Sequence, residues 1–287
     1  MASPRLGEIP NLGSVARVLL LRVVPVLGAL ALVAAAMVLA GGQTQAAAGS
    51  ERLPDLDQAA PSRLSITRAG SADDPVYRLG FRSAVANVGD GPLAIEAHRP
   101  GRGTATMVAD QLVDRDGAPR EVVPEVGRLR YVVASDHRHW HLLRFDRYEL
   151  RRAGGAAPLV RDRKTGFCLG DRYVTRGPAL PAEPPRPAYT SRCGLGAPGR
   201  LGMREGISVG YGDDYPAHLE GQYLRLNGLR PGRYLLVHRA NPGRRLRERS
   251  YRNNAASLLL ELHMRGGEPA VRVLARCPRT ARCDRDS

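Results

Sequence analysis

The sequence predicts an all-β, sandwich-like domain with long loops, preceded by an apolar N-terminal segment. Beyond that segment, short apolar runs alternate with Gly, Pro and Asp-Gly turns, and no amphipathic pattern of helical length occurs. The chain has 287 residues, of which 43% are hydrophobic, so it is long enough to bury a core of this kind.

The N-terminal segment, residues 1–48, has the pattern of an export signal. Three arginines precede an apolar run from Val23 to Ala40, and three alanines follow at 46–48. This order is typical of a cleaved signal peptide, although a run of about 18 residues is also long enough for an N-terminal anchor helix. We therefore expect residues 49–287 to be secreted or held at the outer face of the cytoplasmic membrane.

Four cysteines follow the N-terminal segment, and their even number suits an oxidising compartment. We expect two disulfides, Cys168 with Cys193 and Cys277 with Cys283. A zinc site built from these four residues is disfavoured, because no two cysteines have the Cys-x2-Cys spacing.

The strands are expected at intervals set by the turn residues. In chain order the pattern predicts two strands around the turn at 89–91, a turn at 116–117, a strand around the break at 135–136, a proline-rich loop at 177–187, two strands flanking 228–232, and two final strands at 257–264 and 270–277.

Three of the seven histidines alternate along one of these strands, at His137, His139 and His141. Alternate side chains of a strand share a face, so the three imidazoles would point one way, and Arg138 and Trp140 the other. Imidazole ligation suits Cu, Zn, Fe or Ni, and copper binds most tightly in that series. The alternative is three solvent-facing histidines on an edge strand.

The basic residues show one exception to a strong preference. Lys164 is the only lysine, and every other basic residue is arginine. A GC-rich genome would explain the arginines but not the lysine, whose amine can lose its proton and become a nucleophile. The net charge of +15 favours an anionic cell-surface polymer as a partner, or serves solubility alone; we expect no specific nucleic-acid binding.

The order of several motifs resembles the lysyl oxidase family of copper amine oxidases. The resemblance covers roughly residues 51–265 and rests on these matches: "LPDL" at 53–56, the His-x-His-x-His motif at 137–141, "KTGFCL" at 164–169, "YGDD" at 211–214, "PGRY" at 231–234, and Asn241-Pro242 with "YRNN" at 251–254.

The resemblance implies a catalytic domain at 49–287 that binds Cu2+ through the three histidines. It also implies a lysine tyrosylquinone cofactor, formed from Lys164 and Tyr211. The implied reaction is oxidative deamination of primary amines, peptidyl lysine among them, by O2, which yields aldehyde, ammonia and hydrogen peroxide. Asp213 and Asp214 lie next to the tyrosine and are the candidates for the proton-abstracting base.

Two features depart from the family pattern. The stretch between Lys164 and Tyr211 is long and proline-rich, and cysteines are few. Both features suggest a bacterial branch of the family. The alternative function is that of an exported copper- or zinc-binding β-sandwich module without amine oxidase activity.

Overall fold

The computed structural model describes residues 49–134, 138–161, 166–219 and 221–283. The predicted signal or anchor at 1–48 lies outside these ranges, as do His137 and Lys164. The regular secondary structure of the described ranges consists of β-strands alone, which confirms the all-β class. Among the same residues, no helix has the length and apolar character needed to cross a membrane.

The described residues form eighteen strands. In chain order they are β1 (Glu51–Arg52), β2 (Leu56–Gln58), β3 (Ser62–Gly70), β4 (Pro75–Asn87), β5 (Leu93–His98), β6 (Thr106–Arg115), β7 (Ala118–Val133), β8 (Arg138–Leu143), β9 (Asp146–Arg152), β10 (Pro158–Arg161), β11 (Gly166–Phe167), β12 (Tyr173–Val174), β13 (Gly202–Ile207), β14 (Tyr211–Tyr215), β15 (Tyr223–Arg225), β16 (Gly232–Ala240), β17 (Ala255–Arg265) and β18 (Glu268–Cys277).

The strands are distributed over three sheets. The first has the order β11-β8-β7-β6-β5-β13, with β1 added beside β6. The second has the order β10-β9-β16-β17-β18. The third has the order β12-β14-β4-β15, with β2 and β3 also paired to β4. The predicted histidine strand, β8, therefore lies between β7 and the short strand β11.

The predicted turns are present, but they do not all close hairpins. Asp116 and Gly117 join the paired strands β6 and β7, and Gly117 has the positive φ of 63° that glycine favours in such turns. The turn at 89–91 instead joins β4 of the third sheet to β5 of the first sheet. Local turn chemistry thus marks where strands end, while the sheet each strand joins is decided by distant partners.

The core forms where the inner faces of these sheets meet. Its largest fully buried side chains are Trp140, Tyr148, Tyr234 and Phe81. Burial of an aromatic side chain of this size stabilises the fold by about 2–3 kcal/mol.

Both predicted disulfides are present. Cys168 is bonded to Cys193, 25 positions along the chain, and both cysteines are buried. Cys277 is bonded to Cys283, only six positions away, in a small separate apolar cluster beside β16 and β17. The first bond joins distant parts of the chain, and the second closes a short C-terminal loop.

Candidate functional site

Strand β8 carries two of the three predicted metal ligands on one face. The rings of His139 and His141 lie 4.7 Å apart, measured between centroids, as expected for alternate positions of a strand. His141 is buried, with 2% of its surface exposed, and His139 is partly exposed. The predicted third ligand, His137, lies outside the described residues.

The side chain between these histidines anchors β8 in the core. Trp140 is fully buried, and its indole N–H donates a hydrogen bond to the Ala197 carbonyl at 3.2 Å. Its backbone N–H donates to the Cys193 carbonyl at 2.9 Å. Since neighbouring side chains of a strand point to opposite faces, these contacts also fix the direction of His139 and His141.

Strand β11 adjoins the histidine strand and begins two residues after Lys164, which itself lies outside the described residues. Gly166 and Phe167 pair with Leu143 and Leu142 of β8. A Cβ atom at position 166 would lie only 2.5 Å from the Leu142 carbonyl oxygen, so the close approach of the two strands requires glycine.

Tyr211, the predicted quinone tyrosine, begins β14 and is almost fully buried, with 4% exposed. Its hydroxyl donates a hydrogen bond to the Pro184 carbonyl at 3.3 Å. Pro184 lies in the 177–187 segment, which contains no strand and is a loop, as predicted. The proline-rich loop therefore covers the phenol and shields it from solvent.

Tyr215 links the strand of Tyr211 to the histidine strand. Its hydroxyl accepts a hydrogen bond from the Cys168 backbone N–H at 2.7 Å and donates one to the Cys168 carbonyl at 2.6 Å. Its ring meets Phe167 edge to face at 4.6 Å. Burial raises the pKa of Tyr215 well above its usual value, so the phenol stays a donor. Because Phe167 pairs with β8, these contacts couple β14 to the histidine strand.

Asp213 shares a face of β14 with Tyr211, two positions away. It is buried, with 2% exposed, and the Arg172 Nε lies 2.5 Å from its carboxylate. Burial raises the pKa of Asp213 to about 8, although the Arg172 guanidinium lowers it. The carboxyl group can therefore gain or lose a proton close to neutral pH.

Asp214 occupies a different environment from its neighbour. Alternation along β14 turns it to the opposite face, where a quarter of its side chain is exposed and Arg82 Nε lies 2.7 Å away. Partly exposed ion pairs of this kind contribute little to stability. Of the two predicted bases, only Asp213 faces the same way as Tyr211.

Glu205 belongs to the same buried cluster and was missed by the sequence analysis. It lies on β13 and is 2% exposed. Burial raises its pKa well above the usual range and the Asp213 charge adds to the rise, while backbone N–H groups of Leu169 and Leu142 oppose it. The only signal in the sequence was a carboxylate beside the apolar end of a strand, which is too common to be informative. Arg172 was also missed, because a single arginine is uninformative in a chain with so many arginines.

The described imidazoles fit a metal such as copper. His139 and His141 present two nitrogen donors from one face, and imidazole nitrogen is a ligand that copper and zinc both accept. Across the described ranges no three ligand-type side chains cluster, and His137 lies outside those ranges. The arrangement defines a class: all-β proteins with a histidine-bearing strand coupled to a buried tyrosine and a nearby carboxyl group.

The sequence model of the lysyl oxidase family matches residues 110–268, which is more than half of the chain. The protein belongs to the lysyl oxidase family. The matched range includes the histidines, Lys164, Tyr211 and both aspartates, so the motif-based prediction of the family is confirmed.

Curated relatives agree with this membership. The chain is 27% identical over 135 residues to protein-lysine 6-oxidase of Gallus gallus and of Homo sapiens; each alignment covers 47% of this chain and 28% of the relative. It is 28% identical over 133 residues to lysyl oxidase homolog 3B of Danio rerio, covering 46% of this chain and 14% of that protein. The chain thus spans less than a third of the length of each of these three relatives.

Proposed function

We propose that this protein oxidises primary amines, including peptidyl lysine, to aldehydes with release of ammonia and hydrogen peroxide. Family membership supports the chemistry. The observation that carries the proposal is the coupling of two strands: Tyr215, on the strand of Tyr211, holds the Cys168 backbone directly beside the histidine strand. Residues that are far apart in sequence but matched to the family motifs are thereby connected in the fold.

In this proposal His137, His139 and His141 hold Cu2+, whose preference for imidazole the two described rings satisfy. Lys164 and Tyr211 form lysine tyrosylquinone, which when present supplies an electron sink for the amine carbon. Arginine could not replace Lys164, because its guanidinium neither loses its proton nor acts as a nucleophile near neutral pH.

The cofactor pairing has support from the residues around each partner. Lys164 is two positions from Gly166, which pairs with the histidine strand, and Tyr211 is four positions from the Tyr215 hydroxyl that holds Cys168. The Tyr211 hydroxyl lies under the Pro184 carbonyl, so water has little access to the ring. A shielded ring favours one reaction with a bound amine over side reactions with solvent.

Asp213 is the proposed acceptor of the proton from the substrate carbon. A base is most effective when its pKa lies near the working pH, and burial raises the Asp213 pKa to about 8. Arg172 contacts this carboxylate and orients it. Asp214 is less suited, since it faces the other way and is paired with Arg82.

The setting of the reaction follows from the predicted export signal. We propose that the protein acts outside the cytoplasm, where O2 is the co-substrate and an anionic cell-surface polymer is a partner for the basic chain. Both disulfides suit an oxidising compartment. Assignment to a bacterial branch stays a prediction.

Replacement of Lys164 by Arg tests the proposal most directly. The Lys164→Arg variant is expected to fold and to bind copper, but to show no amine-dependent hydrogen peroxide, because the charge is kept and the nucleophile is lost. The matched control is Arg161→Lys, at the exposed last residue of the described range 138–161. This variant should keep full activity.

Peptide mapping of the copper-loaded wild type gives an independent readout. A cross-linked peptide that contains Lys164 and Tyr211, together with quinone staining, supports the amine oxidase. Separate unmodified peptides, combined with a Lys164→Arg variant as active as wild type, would overturn it. Bound copper without cross-link or activity would identify the protein as a metal-binding module.

A further inference from the structure

A cavity of about 420 Å3 lies at the end of β8 beyond the histidines. It is lined by the middle of β7, by the turn between β8 and β9 and the start of β9, and by the loop 241–246. Its volume lies within the range of about 300–1,000 Å3 that small-molecule sites usually have. The proposed amine chemistry does not use this cavity.

The floor of the cavity is apolar. It is formed by Val126, Leu142, Phe145 and Leu246, each of which is at most 6% exposed. A ligand with an apolar body would remove both its own surface and the accessible parts of these side chains from water. Such burial contributes about 25 cal/mol for each Å2 of apolar surface.

The rim of the cavity is strongly basic. Arg128, Arg144, Arg147 and Arg245 line it, all four are exposed, and no carboxylate is among its lining residues. None of the four forms an ion pair with another described residue. Four like charges around one cavity repel each other, and an anion placed among them relieves that repulsion.

Some arginines elsewhere in the molecule have carboxylate partners. Arg247, close to the cavity in sequence, contacts both Glu51 and Glu121, with the second distance 2.6 Å. Arg249 contacts Asp55 at 3.0 Å. What sets the rim apart is that four arginines without an ion-pair partner among the described residues converge on one apolar cavity whose lining contains no carboxylate.

The cavity is held in shape by one asparagine. The Asn241 amide N–H donates to the Leu246 carbonyl at 2.9 Å, and its side-chain oxygen accepts from the Arg245 backbone N–H at 2.9 Å. The Asn241 backbone N–H also donates to the Phe145 carbonyl at 2.7 Å, which joins the loop to the β8–β9 turn. A loop backbone fixed in this way loses less conformational entropy when a ligand binds.

We propose that this cavity binds an oxyanion that is carried on an apolar body. The planar guanidinium of arginine donates paired hydrogen bonds to carboxylate and to phosphate, and the apolar floor receives the rest of the ligand. Carboxylate and phosphate share this chemistry, and the test separates them. The inference stands independently of the amine oxidase proposal.

Calorimetric titration of the full exported chain with matched small probes tests the proposal. The probes are 3-phenylpropionate and phenyl phosphate, which carry anion and ring, 3-phenylpropan-1-ol, which lacks the anion, and acetate, which lacks the ring. At least one of the first two should bind at least about tenfold more tightly than the last two. Which of the two binds better identifies carboxylate or phosphate as the source of the oxyanion.

Two double variants locate the binding. Arg128→Gln with Arg245→Gln removes one charge from each side of the cavity and should weaken the tighter probe at least about tenfold. Arg225→Gln with Arg265→Gln removes the same charge from exposed positions elsewhere and should leave binding unchanged. Thermal unfolding of both confirms that they fold. Equal weakening by both variants, equal binding of the alcohol, or no binding of either anionic ring probe overturns the proposal.

Discussion

Two disulfides mark two regions of the molecule that differ in what surrounds the bond. The inner region comprises Cys168–Cys193 with β8, β11 and β14; its bond is adjacent to the histidine strand and is contacted by Tyr215. The outer region comprises Cys277–Cys283 with β16, β17 and β18; its bond closes a six-position loop over a small apolar cluster.

The difference shows how a single type of covalent bond serves two purposes. The inner region and the adjacent strand β13 carry three buried ionisable groups, Asp213, Glu205 and Tyr215, whose pKa values are raised by burial. In the outer region the bond packs against aliphatic side chains such as Val237 and Leu259. Buried ionisable groups therefore reduce stability around the inner bond, whereas aliphatic packing stabilises the surroundings of the outer bond.

The largest expected difference between the regions is in how their contribution to the free energy of unfolding depends on pH. Asp213 ionises near 4 when unfolded but keeps its proton until about pH 8 when folded, so the folded state binds more protons between these values. The contribution of this group to stability must then fall as pH rises from 4 to 8, by roughly 5 kcal/mol. Asp213→Asn, which cannot ionise, should lose this part of the decline when unfolding by urea is measured across that range.

The matched variant in the outer region is Glu261→Gln on β17. The Arg272 side chain lowers the pKa of Glu261, so this carboxylate stabilises the fold above its unfolded pKa, and its loss should have a small effect of opposite sign. If the free energies of unfolding of wild type and Asp213→Asn changed with pH in parallel, the Asp213 carboxyl group would ionise in its usual range. The two regions would then not differ in the pH dependence of stability.

Removal of each disulfide should also separate the regions. Loss of the inner bond frees a loop of 25 positions and should lower the free energy of unfolding by about 3–4 kcal/mol, against about 2 kcal/mol for the outer loop of six positions. Cys168→Ala with Cys193→Ala should also abolish amine oxidation, whereas Cys277→Ala with Cys283→Ala should retain it. Chemical unfolding and a peroxide assay measure both effects; activity that survives in the first variant contradicts the coupling of the inner bond to the site.

The smallest expected difference concerns two buried hydroxyl groups. Tyr215→Phe leaves the Cys168 N–H and carbonyl without their shared partner and should lower the free energy of unfolding by about 2 kcal/mol. Ser257→Ala, in the outer region, loses only one hydrogen bond to the Thr280 carbonyl and should cost about 1 kcal/mol. Equal costs in urea unfolding would mean that the Tyr215 hydroxyl does not hold Cys168 as described.

The parts of the fold that the sequence predicts are those encoded locally. Turn residues place the strand ends, alternation places His139 and His141 on one face, and cysteine number and compartment predict both disulfides. The separation of β4 and β5 into different sheets was not predictable, because it depends on pairing with strands more than 100 positions away.

The same limit applies to the candidate site. Adjacent positions make Asp213 and Asp214 equivalent in the sequence, and only the pairing of β14 with its neighbours shows which one is buried beside Arg172. Glu205 could not be recognised at all, since its surroundings come from strands distant in the chain. The arginine-lined cavity likewise combines three segments that share no local motif.

The hydrogen bonds around the inner cysteines bear on how their disulfide forms. Tyr215 holds the Cys168 backbone through both its N–H and its carbonyl, and the Trp140 N–H holds the Cys193 carbonyl. These contacts involve no sulfur atom, so a chain with both thiols reduced can still bring the two residues together. Oxidation would then join two cysteines whose backbones these hydrogen bonds already hold in place.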